Sequence, residues 1–404
     1  NSLPKKLRDN PKLTCVVGLN TEPERLVDLR KNRMNSLKET ENKNYTSIEN
    51  IKKEVLEAKK TFLKGLYDLV DSNIGEVGVY TLMMLYGTEF KNPKFREKWN
   101  YKGKYRIVPL DFGEYEGVRV FDYEEAGIAT KDMPFNDYIY SRSIVFLIES
   151  LINGRPFDEL FQFSNSIGIK KSSLIQILRD NIDHAPKSLK NLFDNFVEDT
   201  KSELWESEEE LLNHYKKDEN FELLKKGEVG GNIIYKYKCK SLNLHINEWI
   251  EFIKDQLKTY SLNKDKDLYF KNNIKEKIDE VGLFCKYKLN GMLKKNINSM
   301  AYKSKFKYDI LSWIDRDDEN QKLEDFFAIT PITYSFEFTK EQQDHRKDIF
   351  KRYGTDINAL SKIITRIESL ESLFRKIRTT DDQYLRDVYR DLRGDNFTRY
   401  ALVN

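Results

Sequence analysis

Cysteine, histidine, proline and glycine are all scarce in this chain of 404 residues, with 3, 4, 9 and 18 copies. Cys15, Cys239 and Cys285 are too few and too far apart for a disulfide framework or a metal-ligand spacing, so a reducing cytoplasm is the expected location. His184, His214, His245 and His345 lack any HExxH or Cys/His spacing, which argues against a metal site built from neighbouring residues. No apolar run approaches the roughly 18 residues that a membrane span needs, and no charged-then-apolar leader opens the chain. Lys and Arg number 69 against 66 Asp and Glu, so the net charge of +3 leaves no bulk electrostatic signal for a nucleic-acid partner. GxGxxG, GxxxxGK[ST] and GxSxG are all missing, and with them the usual phosphate cradles and the exposed hydrolase serine.

The residues that are present are enough to fold. A hydrophobic content of 39% with 13% aromatics is too apolar for disorder, and the length suits two or three domains. Residues 13–19 (LTCVVGL) are a short β-branched run that reads as a buried strand, and 22–31 continue with helical character. Thr46 and Glu49 make a capping-box pattern, after which Ile48, Ile51, Val55, Phe62, Leu66 and Leu69 keep one helix face apolar until residues 71–75. Residues 77–85 (VGVYTLMML) read as a strand covered on both faces. Short strands are expected at 105–108 and 118–121, with Gly113 and Gly117 supplying turns. From about residue 133 amphipathic helical patterns succeed one another, interrupted by an alternating strand pattern at 332–338. The clearest stripe comes last: Leu360, Ile363, Ile364, Ile367, Leu370, Phe374 and Ile377, capped by Thr355 and Asp356, predict one long helix. Gly227 to Gly231 fits no phosphate loop and reads as a helix-to-helix turn.

Residues 78–142 carry the most chemistry. A strand over 77–85 would deliver Gly87, Thr88 and Glu89 at its carboxyl end, the edge at which α/β sheets and barrels build ligand sites. Leu82-Met83-Met84-Leu85-Tyr86-Gly87-Thr88, together with Tyr105-Arg106, Gly113-Glu114-Tyr115, the run from Phe121 to Glu125, and Asp137-Tyr138 before Arg142, resembles the radical SAM superfamily. Within it, the likeness is to enzymes with a cobalamin-binding domain. Val16-Val17-Gly18-Leu19-Asn20, Leu26 and Arg33-Met34 resemble that family's fourth strand and the helix after it.

The resemblance implies a fold in three parts: a remnant of a partial β/α barrel with parallel strands over 1–100, a β-containing connection over 101–132, and a helical accessory domain over 133–404. It implies reductive cleavage of S-adenosylmethionine by a 4Fe–4S cluster, with cobalamin as an admissible methyl relay and a small-molecule substrate of unspecified class. Leu85, Tyr86, Gly87 and Thr88 would line the adenosine side. Tyr80, Glu124 and Glu125 would face substrate, or the two glutamates would pair with Arg106 or Arg119. The CxxxCxxC loop that holds such a cluster is missing, so this chain alone is expected to be inactive and to be the carboxyl-terminal part of a longer parent. Two alternatives stand beside this reading: a non-catalytic protein whose helical half binds a protein partner, and nucleic-acid binding by the Lys- and Tyr-bearing stretch 286–305.

Overall fold

A computed structural model describes residues 14–18, 58–294, 301–316, 318 and 320–379. The chain divides into two units, one formed by Asn1–Phe146 with Asn195–Ile233 and the other by Leu147–Asp194 with Ile234–Asn404.

In the first unit, strand β1 (Thr14–Gly18) pairs in parallel with β2 (Glu76–Tyr80), Val16 lying opposite Gly78 and Gly18 opposite Tyr80. The helix Ala58–Asp71 lies between them in sequence, and the fold buries its Phe62, Leu66 and Val70, spaced four apart on one face. The capping residues expected at 46–49 and the apolar positions 48, 51 and 55 lie outside the described residues. β2 is shorter than the 77–85 run and is not covered on both faces: Val77 and Val79 are buried, whereas Glu76 and Tyr80 are exposed. Past Thr81 the chain leaves β1 and pairs elsewhere, Met83 bridging Ala126 in antiparallel fashion.

That partner is β4 (Val118–Ala129), which forms an antiparallel hairpin with β3 (Lys102–Tyr115). Glu116 and Gly117 both have positive φ, 50° and 80°, the backbone of a tight two-residue hairpin turn. Gly113 is not a turn residue; it lies within β3, opposite Val120. The register shifts between Ile107 and Phe112, where Leu110 takes φ 67°. Ile107 and Phe121 pack with Leu211, Tyr215, Phe221 and Leu224, from the helices Glu208–Tyr215 and Asp218–Lys225. Gly230 and Gly231 lie between Asp218–Lys225 and Ile233–Leu244, as the turn reading expects.

The second unit contains the helices Asp158–Ser166, Lys171–Asp180, Ile246–Lys264 and Ile274–Leu289 and an antiparallel sheet in the order β5 (Tyr302–Tyr308), β6 (Phe327–Glu337), β7 (Lys376–Thr379). Phe284 meets Phe306, Tyr334 and Phe336 edge-on, with ring centroids 5.8, 5.6 and 5.2 Å away, fixing the sheet to the Ile274–Leu289 helix. The long helix expected near the carboxyl end is broken. An α-helix Ile357–Lys362 widens into a π-turn at Ile363–Ile367, a 3-10 turn comes next at Leu370–Leu373, and Ile377 lies in β7. Its stripe residues are mostly buried as periodicity requires, yet the sheet edge competes for the last of them.

No helix among the described residues is long and apolar enough to cross a membrane.

Candidate functional site

The carboxyl ends of β1 and β2 lie side by side at Gly18 and Tyr80, and the chain leaving β2 runs directly into the residues singled out for ligand binding. Thr81 is buried, its hydroxyl 3.5 Å from that of Tyr138. The Met84 amide donates to the Glu125 carbonyl, and the Gly127 amide donates to that of Leu82, both at 2.8 Å. Residues 85–88 then turn. Thr88 donates from both its amide and its hydroxyl to the Leu85 carbonyl, the hydroxyl at 2.6 Å, and Gly87 takes φ 82°. Gly87 and Thr88 are therefore engaged in closing a turn. Tyr80, Leu85 and Tyr86 are exposed, Tyr86 at 80%.

Behind this turn is a charge cluster that periodicity did not reveal. Asn92 caps the helix Pro93–Trp99, its side chain accepting from the amides of Lys94 and Phe95. This cap places Lys91 just before the helix and Arg96 one turn into it. Both reach the buried Glu125 carboxylate, Lys91 Nζ at 2.5 Å and Arg96 Nη2 at 2.8 Å. Lys91 Nζ also lies 4.4 Å from the Tyr86 ring centre and 5.8 Å from that of Tyr105. Burial and then the Glu125 charge push the Tyr105 phenol up. Gly103 makes room for the carboxylate: an ideal Cβ there would fall 2.1 Å from Glu125 Oε1. Two cations thus share one carboxylate, a net positive spot whose Lys91 and Arg96 side chains are still partly exposed. Such a spot can hold an anion or clamp the hairpin to the helix.

Glu124, next to Glu125 in β4, points to the other face of the strand. Arg106 Nε and Nη2 each lie 2.6 Å from Glu124 Oε1, and Arg106 Nη1 lies 3.1 Å from Glu203. Burial opposes the Arg106 charge, but Glu203, Tyr138 and Glu124 outweigh it and raise its pKa. Arg119 instead joins Glu114 at 2.9 Å and Asp218 at 2.6 Å. Glu124 and Glu125 are therefore held in ion pairs. Lys91, Arg96 and Glu203 escaped the sequence reading; the only local signal was the Asn-Pro cap at residues 92–93. No group of three or more His, Cys, Asp or Glu side chains converges as a metal site among the described residues.

Comparison with known proteins places the first segment elsewhere than expected. The kinase/pyrophosphorylase family matches residues 1–77. A protein of Pelagibacter ubique named as a putative pyruvate, phosphate dikinase regulatory protein is 64% identical over 70 residues, 17% of this chain and 26% of the relative. Proteins of the same name from Caulobacter vibrioides and Anaplasma marginale are 35% identical over 60 residues and 41% over 56, covering 15% and 14% of this chain and 19% and 20% of theirs. The chain thus spans about a quarter or less of the length of these curated relatives.

These matches overturn the radical SAM resemblance. Residues 16–20, 26 and 33–34, expected to form a barrel strand and helix, lie inside the kinase/pyrophosphorylase match. Reductive cleavage of S-adenosylmethionine, the 4Fe–4S cluster and cobalamin fall with that resemblance, and neither the interaction-protein reading nor nucleic-acid binding gains support. The physical reason is that an apolar run followed by a Gly-Thr turn is common to many α/β proteins, so the motif does not discriminate among them.

Proposed function

We propose that this chain takes part in regulating a pyruvate, phosphate dikinase by phosphoryl transfer, through the segment 1–77. The 64% identity over 70 residues to a protein named as a putative pyruvate, phosphate dikinase regulatory protein carries the reading, and the kinase/pyrophosphorylase match over residues 1–77 supplies its chemistry. The parallel pairing of β1 with β2 accords with it, because the carboxyl ends of parallel strands in α/β folds receive phosphate-bearing ligands. The protein partner is then the dikinase itself, and the location is cytoplasmic.

The test is to incubate the full chain with a purified pyruvate, phosphate dikinase and ATP or ADP labelled in the terminal phosphate. Co-sedimentation reports the complex, and label on the dikinase reports transfer. The reading expects a 1:1 complex and nucleotide-dependent labelling; absence of both, with the chain folded by circular dichroism, overturns it.

A further inference from the structure

One end of the second unit sets large apolar side chains among lysines. In the short helix Lys266–Lys271 the burial pattern is inverted: Tyr269 is buried, while Leu268 and Phe270 stand exposed at 51% and 61%. Leu262, near the end of the helix Ile246–Lys264, is exposed as well. Residues 262–275 also hold Lys264, Lys266, Lys271 and Lys275, all exposed, against Asp265 and Asp267, a surplus of 4 − 2 = 2 positive charges. Asp265 accepts from the Leu268 amide at 2.8 Å and so caps the short helix.

The sheet brings a second apolar projection to the same end. The Lys307 ammonium of β5 pairs with Glu276 and its amide donates to Glu280, both early in the helix Ile274–Leu289, which follows Lys266–Lys271 directly. Beside this contact the strands lose register. Phe306 lies opposite Ile332 and Tyr308 opposite Phe327, so residues 328–331 bulge out against Lys307 alone. Phe327 is exposed, and Ile329, within the bulge, is 97% exposed. At such exposure the fold itself gains little from these side chains being apolar.

Lysines around apolar tips match an anionic lipid surface, where headgroups meet the ammonium groups and the acyl boundary receives the apolar side chains. A protein partner would need one hollow shaped to both the helix and the bulge; a fluid interface needs only that they share one end of the unit. We propose that this end of the second unit, led by Leu268, Phe270 and Ile329, docks reversibly on an anionic lipid bilayer surface without crossing it. The docking surface goes beyond the regulatory reading of the segment 1–77 and does not depend on it.

Co-sedimentation of the full chain with phosphatidylcholine vesicles, with and without phosphatidylserine, measures partitioning directly. The expected result is binding to the phosphatidylserine vesicles that weakens as salt screens the lysines, and little to phosphatidylcholine alone. Lys266→Gln combined with Lys271→Gln should weaken it about 25-fold, from roughly fivefold per lysine. Phe270→Ser should weaken it about tenfold at unchanged charge, by removing the inserted ring. If Phe270→Ser fails to fold by circular dichroism, Ile329→Ser, on the other element, carries the apolar comparison. No partitioning of the wild type, equal partitioning into both kinds of vesicle, or folded lysine or apolar variants that bind as the wild type does, overturns the proposal.

Discussion

Glu159→Gln is the sharpest perturbation of the second unit. Lys288 Nζ sits 2.6 and 2.7 Å from the two carboxylate oxygens of Glu159, and the side chains are 1% and 0% exposed. Burial is the largest influence on Lys288 and would lower its pKa, but the charge and hydrogen bond of Glu159, with the Cys285 and Asp158 charges, together outweigh it and raise the pKa. The lysine therefore stays charged in the fold, and this contribution is present at neutral pH and lost as pH rises through the raised value. Replacing Glu159 with a neutral amide leaves that ammonium buried without its counter-charge, a loss of about 3–5 kcal/mol. For a domain of roughly 150–250 residues this corresponds to a fall in melting temperature of about 6–20 °C. Urea titration monitored by circular dichroism measures the loss as a drop in midpoint at unchanged slope. The double variant Glu159→Leu with Lys288→Met should recover most of it, because two apolar groups of similar length remove both desolvated charges. A Glu159→Gln loss below about 1 kcal/mol, or a double variant as unstable as the single, would refute the assignment of this pair as a tightly coupled buried contact.

Two further outcomes test the first unit. Gly103→Ala should destabilise by about 1–3 kcal/mol, because the new Cβ displaces the Glu125 carboxylate from Lys91 and Arg96; the effect should shrink in a Glu125→Ala background, and a loss within about 0.5 kcal/mol of zero by urea titration contradicts the packing. Tyr123 should titrate late, since its hydrogen bond to Glu208, then burial and the Glu208 charge, push it up to about 12. The fold holds this proton more tightly than the unfolded chain, so the bond's contribution is present below about pH 10 and is lost as pH rises towards 12. Ultraviolet titration of tyrosinate should lose one of its late steps in Tyr123→Phe and shift it towards about 10 in Glu208→Gln; an unchanged curve in both denies the bond.

Local pattern and long-range pairing were not equally legible in the sequence. The helices Asp158–Ser166, Lys171–Asp180 and Glu208–Tyr215 are readable from apolar spacing with a cap such as Ser207, information carried within one or two turns. The stripe from Leu360 to Ile377 shows where this fails. Its burial was readable, but the pull of β6 on residues 376–379 comes from strand residues about 40 positions earlier. The charge cluster failed for the same reason. Glu125 meets Lys91 and Arg96 across separations of 34 and 29 residues, and Glu159 meets Lys288 across 129, pairings that no window along the chain contains.

The same distinction explains why the Gly87-Thr88 turn misled. A glycine at φ 82° and a threonine hydroxyl closing onto the Leu85 carbonyl are what any chain needs in order to turn sharply here. That local role recurs in many proteins, so their presence cannot select one family of α/β proteins over another. Identity over the 70-residue match is different in kind. Matching side chains over so long a stretch constrains packing that a four-residue motif leaves free, and this is why the 70-residue match outweighs the short motifs that carried the radical SAM resemblance.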